Sequence, residues 1–205
     1  MNMNLLRFLL LLQLTTPFAL AQAAPNSKTA SLPNQPETFV RSLYDEVVAR
    51  HPLGISINMK VFAPYLSKAL LHRIDLAVAC DDDWRRQNRD PTAKPPGLED
   101  GLFTGDDERA EPTAFHIEKV QDAKDGSIRV YVKLTRDDPG ESPDIWNVAA
   151  ILVRENGHLV MDDVIWLKDN PQGVDVRLSK YLTSGCNGPH WVGFKKPQGD
   201  QKQQK

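Results

Sequence analysis

The sequence predicts an α+β domain in which N-terminal helices pack on a curved antiparallel sheet. Apolar residues recur at spacings of three and four in the first half of the chain, whereas apolar alternation or short apolar runs occupy four segments of the second half. Two turn signals, Asp125-Gly126 and Asn156-Gly157, separate pairs of these segments. Neighbouring segments should therefore pair as hairpins, and helices followed by a meander give an α+β fold.

Two helices are predicted before the strands. The first covers residues 38–50, where the apolar positions form a wide stripe and Pro52 follows just beyond. Pro64 indicates a break after it. The second helix begins after Ser67, a suitable N-cap, and runs into Cys80.

The segment 81–113 differs from the helices before it, because it carries ten acidic and five basic side chains. We interpret it as a long, exposed, acidic excursion that offers a surface to a partner. Its runs Asp81-Asp82-Asp83 and Asp106-Asp107-Glu108 lack EF-hand spacing, so no metal site is predicted. Four apolar side chains are candidates to attach the excursion to the body: Trp84, Leu98, Leu102 and Phe103.

Four strands and a short helix should complete the domain. The strands are predicted at residues 115–121, 128–135, 145–154 and 158–167. The helix should cover residues 176–182, with Gly185 as a stop.

The N-terminus has the layout of a cleaved secretory signal. Arg7 lies within an apolar run from Leu5 to Leu12, and small residues lead to Ala23. The run is shorter than the roughly 20 apolar residues that span a bilayer. We expect cleavage near Ala23 and a periplasmic or secreted protein without a membrane anchor. The predicted parts are a signal peptide at 1–23, a disordered linker at 24–36, one domain at 37–193 and a disordered tail at 194–205.

Export bears on the two cysteines, Cys80 and Cys186, because thiol pairs tend to become bridged in an oxidising compartment. We predict a disulfide between them, which the chain-entropy model values on the order of 4 kcal/mol for so long a loop. A catalytic thiol and a metal ligand are the alternatives. Neither has local support, since no histidine or second cysteine stands at ligand spacing.

The charge balance excludes one class of partner. The chain has 25 Lys+Arg and 27 Asp+Glu, a net charge of -2, and so lacks the broad basic face expected of a nucleic-acid binder. No signature of a cofactor site or of a nucleophile is visible, and no cofactor is predicted.

Several phrases of the chain resemble one family of exported bacterial proteins. ETFVRSLYDEVV, VFAPYLSKALLHRI, LFTG, ENGHLVMDDVIW and LSKYLTSGCNGPHWVG are similar to the DUF 3828 family, over roughly residues 37–193. This resemblance implies the nuclear-transport-factor-like, or cystatin-like, α+β cone. It implies no activity, cofactor or catalytic residue, since that family is uncharacterised and the cone hosts enzymes, binding proteins and structural modules alike. Cone domains often dimerise through the outer face of the sheet, so a homodimer is a further expectation.

Asp163 is the most suggestive carboxylate, because alternation along the last strand puts it on one face with Leu159, Met161 and Ile165. A desolvated aspartate can act as a general base, with Tyr131 as the candidate donor. The stronger alternative is that a bulge turns Asp163 outward, or that it accepts backbone hydrogen bonds from a loop or helix start.

Other candidate groups have structural interpretations. Tyr131 shares a face with Arg129 and Lys133, which is typical of a solvent side. His116 should also lie on the surface. Trp146 would line a pocket with Tyr131 and His116 only if all three side chains lie on the same face of the sheet. Two further indoles are expected to pack around the bridge: Trp84 and Trp191.

These observations favour a noncatalytic exported domain that binds a small apolar ligand or a protein partner. The first alternative is an isomerase or lyase with Asp163 as base and Tyr131 as donor in the cone. The second is an immunity or inhibitor protein against a secreted toxin, which would match small size, export and an acidic loop. An open concave cavity lined by Asp163 would favour the enzyme, and a closed one would remove both the enzyme and the small ligand.

Overall fold

Four helices accompany one five-stranded antiparallel sheet in the computed structural model, which describes residues 32–55, 57–88, 101–105, 111–168 and 173–184. The helices are α1 (Pro36–Arg50), α2 (Met59–Phe62), α3 (Lys68–Gln87) and α4 (Leu178–Ser184). A single 3₁₀ turn, Ala63–Tyr65, joins α2 to the segment before α3. The strands are β1 (Ala114–Asp122), β2 (Ile128–Arg136), β3 (Asp144–Glu155), β4 (His158–Trp166) and β5 (Val176–Arg177). The predicted α+β class is confirmed.

Helix α1 forms where the apolar stripe was predicted. Pro36 occupies its first turn, where a missing N–H costs nothing, and Glu37 complements the positive end of the helix dipole. The helix ends at Arg50. His51 caps it with a left-handed φ of 45°, and its N–H donates to the carbonyl of Val47. Five side chains of the stripe are buried: Phe39, Val40, Leu43, Tyr44 and Val47.

Helix α3 begins as predicted but ends later. The Ser67 hydroxyl accepts from the N–H of Leu70 at 2.9 Å, which is an N-cap. The helix then continues past Cys80 to Gln87, so the prediction that an exposed excursion starts at residue 81 is wrong. Asp81 pairs with Arg85 at 2.7 Å, one turn along the helix, and such i,i+4 pairs support a helix that the acidic run alone would disfavour.

The sheet is a meander, because its spatial order β1-β2-β3-β4-β5 is also the chain order. The two predicted turns connect β1 to β2 and β3 to β4, and Asn156 and Gly157 adopt φ of 51° and 82°, as a two-residue hairpin turn requires. The last predicted helix is wrong at its start. Val176 and Arg177 pair with β4 as strand β5, and α4 begins only at Leu178.

The main core lies between the helices and one face of the sheet. We call this the inner face. Each of the four long strands contributes buried side chains to it, in the alternation that the pleat imposes. Its members from the sheet are Ile117, Val130, Val132, Leu134, Trp146, Val148, Ala150, Leu152, Leu159, Met161, Val164 and Trp166. A smaller cluster, Ala149, Ile151 and Ile165, lies on the opposite, outer face.

The loop 101–105 fills the inner side of the sheet near α1, and all five of its residues are buried. The Tyr44 hydroxyl donates to the carbonyl of Phe103 at 2.9 Å, and the Trp146 indole N–H donates to that of Thr104 at 2.8 Å. The Phe103 ring lies 5.1 Å from the ring of Phe62. We call residues 101–105 the plug loop. Leu102 and Phe103 therefore attach this part of the segment 81–113 to the body, as predicted, whereas the prediction of an exposed excursion is wrong for residues 101–105.

Gly105 allows the plug loop to approach the sheet. Its φ is 90°, which side chains rarely adopt, and an added Cβ would lie 3.1 Å from Cγ of Trp166. We expect Gly105→Ala to lower the free energy of unfolding by about 2 kcal/mol, through backbone strain and overpacking. Urea unfolding measures this. Gly140→Ala is the matched control, because Gly140 has φ of 89° but open space around it. Equal losses in the two variants would contradict the packing contribution.

Several predictions concern the ends of the chain. The signal peptide and the C-terminal tail lie outside the described residues, as do Trp191 and Cys186. Leu32 packs against the core, so the folded body reaches a few residues before its predicted start.

Cys80 is buried and is not a free thiol, while its pairing with Cys186 stays a prediction. Within the described residues, no helix is long and apolar enough to span a bilayer.

Candidate functional site

Asp163 lies on the outer face of the sheet, beside a bulge in β4. Ile151 pairs with Asp163 and Leu152 with Met161, so Asp162 is an extra residue in the strand. The bulge separates two groups that simple alternation had placed together. Met161 points into the main core, while Asp163 shares the outer face with Ile165. The predicted single apolar face of β4 is therefore wrong, and the alternative of a bulge is right.

The carboxylate of Asp163 organises the start of α4. Its Oδ1 accepts from the backbone N–H of Ser179 at 2.9 Å and from that of Val164 at 3.0 Å. Its Oδ2 accepts from the Ser179 hydroxyl at 2.7 Å and from the Arg177 guanidinium at 3.2 Å. Both oxygens already have two donors, so the side chain does what a helix cap does. It has no free lone pair directed at a substrate.

Asp162 performs a similar task at α3. Its Oδ1 accepts from the Ser67 hydroxyl at 2.6 Å, and the Ser67 N–H donates to the carbonyl of Met161 at 2.8 Å. Glu155 accepts from the backbone N–H of Lys68 at 3.1 Å. The β3–β4 hairpin thus supplies two carboxylates to the N-terminus of α3, where the helix dipole favours negative charge.

Tyr131 does not share a pocket with Asp163. It lies on β2 opposite Ala149, while Asp163 lies on β4 opposite Ile151. Two strand spacings and two residues of offset put their Cα atoms roughly 12 Å apart. Both side chains are on the outer face, as predicted for Tyr131, and the ammonium of Lys119 lies 5.7 Å from the centre of the tyrosine ring.

The other two candidates are on opposite sides of the sheet. His116 is exposed and pairs with Lys133 in the register of β1 and β2. Trp146 is buried on the inner face, where its N–H is taken by the plug loop. The four sequence candidates therefore form no common site. Within the described residues, no group of three histidine, cysteine or acidic side chains is placed to hold a metal ion.

One cleft on the described surface collects more charged groups than its neighbours. It has a volume of about 210 Å³ and lies between the β1–β2 turn and the β4 bulge. Two arginines, three aspartates and a serine line it, with apolar side chains at its base: Asp125, Ser127, Arg129, Asp162, Asp163, Arg177, Ile151 and Val153. We call it the bulge cleft. Most of its members are far apart along the chain and meet only through strand pairing, so no local pattern in the sequence indicates the cleft.

At the rim of the cleft, the pKa of the Asp125 carboxyl lies below its ordinary value of 3.8. The main cause is the Ser127 hydroxyl, which donates to Oδ1 at 2.7 Å, followed by the Ser127 N–H and the charge of Arg129. These donors favour the ionised form. Because the folded pKa is the lower one, the associated stability is present above the unfolded pKa and is lost as pH falls through the folded value.

We expect Ser127→Ala to raise the pKa of Asp125 towards its ordinary value, because the strongest donor is removed. A carbon-detected NMR titration of the side-chain carboxyl measures this. Ser127→Thr retains the hydroxyl and should retain the lowered pKa. An identical midpoint in the wild type and Ser127→Ala would show that the hydroxyl is not the cause.

Comparison with known proteins adds no relative: no family model, no curated protein and no solved structure matches the chain. The resemblance to the DUF 3828 family and the specific cone topology therefore stay predictions.

Proposed function

We propose that this chain is an exported, noncatalytic binding domain whose partner is a protein rather than a small apolar molecule. The observation that carries the proposal is the plug loop. A cone-shaped domain would hold an apolar ligand on the inner side of its sheet, but here Leu102 and Phe103 lie there with 1% and 0% exposure. Three clefts lined by described residues lie at the β1–β2 turn and beside the bulge.

The arrangement of Asp163 supports the noncatalytic part of the proposal. A general base needs a free lone pair within hydrogen-bond reach of the substrate proton. Asp163 accepts from Ser179, Val164 and Arg177 instead. Tyr131, the proposed donor, is separated from it on the open outer face. The two groups named for an isomerase or lyase, Asp163 and Tyr131, therefore do not form a pair.

The outer face supports a protein partner. It offers Tyr131 beside the small apolar cluster of Ala149, Ile151 and Ile165. Aromatic residues surrounded by polar groups are typical of protein interfaces. Charged side chains of both signs border this patch: Lys119, Arg129, Lys133 and Arg177, together with Glu118, Asp125, Asp162 and Asp163. The face therefore combines an apolar centre with a rim that carries both signs of charge.

Site-specific photocrosslinking tests this proposal. A benzophenone amino acid is placed at Tyr131, and at the exposed His72 of α3 as the matched control, in the protein produced in its native host. We expect a discrete crosslinked protein of the extracytoplasmic fraction at position 131 and none at 72. A product at 72 alone would contradict the assignment of the outer face.

A second measurement tests the exclusion of apolar ligands. Because the inner side is filled, palmitate and progesterone should leave the melting temperature of the purified protein unchanged. A saturable stabilisation by either compound would overturn the choice of a protein over a small apolar ligand.

A further inference from the structure

We propose that strand β1 pairs with β1 of a second copy of the chain, so that two sheets join edge to edge around a two-fold axis. This inference goes beyond the proposed function, because it concerns an edge of the sheet and not its outer face. β1 is the first strand in the spatial order of the sheet, and among the described strands it pairs only with β2. We call the side of β1 that is turned away from β2 the β1 edge.

The second half of β1 is exposed on both faces of the sheet. All five residues from Glu118 to Asp122 are exposed. They include Val120, which is 41% exposed although its register partner, Val130, belongs to the main core. An exposed apolar side chain at the edge of a sheet favours pairing with another strand.

The hydrogen bonds at the β1–β2 turn indicate which backbone groups point along the β1 edge. The Ala123 N–H donates to the carbonyl of Ser127 at 2.8 Å, and Asp122 is the neighbouring member of the register. Residues of an antiparallel strand alternate between bonding to the partner strand and pointing away from it. Asp122 and Val120 therefore direct their N–H and C=O groups away from β2.

A bulge changes this alternation in the middle of β1. Ile117 pairs with Val132 and Lys119 with Tyr131, so Glu118 is an extra residue in the strand. The extra residue shifts the alternation by one position. On the N-terminal side of the bulge, Ile117 and Phe115 are therefore the residues whose backbone groups point away from β2.

A second copy matches this pattern about a two-fold axis that passes beside the bulge. In this register Ile117 lies opposite Val120 of the second copy, and Phe115 lies opposite Asp122 of the second copy. All four residues have backbone groups on the β1 edge, and each pair exchanges two hydrogen bonds, which gives about eight bonds across the axis. The same register puts inner-face side chains opposite inner-face side chains, as a continuous sheet requires.

The charges beside the axis are complementary. Glu118 lies opposite Lys119 of the second copy, and the two-fold symmetry forms this pair twice. In one copy, Glu118 is 3.6 Å from the ammonium of Lys133, and both side chains are about two-fifths exposed. A bulge and a lysine protect an edge against unrelated strands. Because a second copy carries the same bulge and the opposite charge at the facing position, this edge favours a copy of itself.

Sedimentation velocity of the purified protein tests the pairing over roughly 5 µM to 1 mM, the range in which small interfaces associate. We expect a reversible equilibrium between monomer and dimer. Glu118→Lys and Lys119→Glu each put like charges opposite one another twice, so each variant should weaken self-association at least about tenfold. An equimolar mixture of the two variants restores both opposite-charge pairs and should dimerise about as strongly as the wild type.

Two further variants accompany this series. Lys124→Glu is the matched control, because Lys124 is exposed in the β1–β2 turn outside the proposed register, and its dimer should be unchanged. Val120→Pro removes an N–H that points away from β2, so it removes a donor of the dimer and none of the β1–β2 bonds. It should abolish the dimer while the melting temperature of the monomer is largely retained.

The outcomes separate this inference from the proposed function. A monomer at every concentration, a dimer that neither charge variant weakens, or a mixture that does not recover dimerisation would overturn the pairing at the β1 edge. Crosslinking at Tyr131 to another protein would still support the proposed function in each of these cases. Conversely, a dimer that responds to the charges as expected would stand even without a crosslinked product at Tyr131.

Discussion

Replacing Phe103 with alanine is expected to lower the free energy of unfolding by about 4 kcal/mol. The ring is fully buried and packs against Phe62 at 5.1 Å, so its removal leaves a cavity between the helices and the sheet. Urea unfolding of the purified protein gives the value. Leu53→Ala is the control, because Leu53 is 44% exposed and should change stability by less than about 0.5 kcal/mol.

The same variant bears on the closed inner side of the sheet. Small apolar molecules enter apolar cavities that large-to-small substitutions create. Benzene should therefore raise the melting temperature of Phe103→Ala but not that of the wild type. Stabilisation of the wild type to the same extent would mean that the plug loop leaves the inner side accessible.

Replacing Asp163 with alanine is expected to cost about 3 kcal/mol, because two backbone N–H groups and the Ser179 hydroxyl lose their acceptor. The loss of stability should be concentrated in α4, because the Asp163 carboxylate caps the first turn of this helix. Amide hydrogen exchange measures it: the α4 amides should exchange faster, while those of β2 and β3 keep most of their protection.

Two variants sharpen the assignment of Asp163. Asp163→Asn retains one oxygen acceptor and should lose less stability than Asp163→Ala. Asp45→Ala, on the exposed side of α1, should be nearly neutral. Unchanged exchange in α4 of Asp163→Ala would contradict the capping role and would return Asp163 to the list of candidate catalytic groups.

The spacing of apolar residues was sufficient to predict most helices and strands, because each of these elements buries one face and its apolar residues recur with the matching period. It was insufficient for β5, which has two residues and no period to detect. The extension of α3 beyond Cys80 does have a signal in the sequence. Arg85 and Arg86 follow Asp81 and Asp83 at helical spacing, and these pairs form in the structure.

The candidate site was less predictable than the fold. Alternation cannot reveal a bulge, since one extra residue reverses the faces of all that follow and leaves the composition unchanged. Asp163 was therefore assigned to the wrong set of neighbours on β4. The bulge cleft depends on the register between strands, and a single sequence records that register only through its turns. The attachment of Phe103 to the body was predicted from its apolar side chain, but its partners were not, because Phe62 and Tyr44 are distant from it in sequence.

The plug loop also bears on the order in which the chain folds. Each long strand pairs with its neighbour in sequence, so the meander can grow through short loop closures. The hydrogen bonds of Tyr44 and Trp146 to the loop instead span 59 and 42 residues. We expect these bonds to form after the rate-limiting step, so that Phe103→Ala accelerates unfolding and leaves the folding rate nearly unchanged. Resistance to unfolding over time would then depend on these five residues more than on the sheet that they cover.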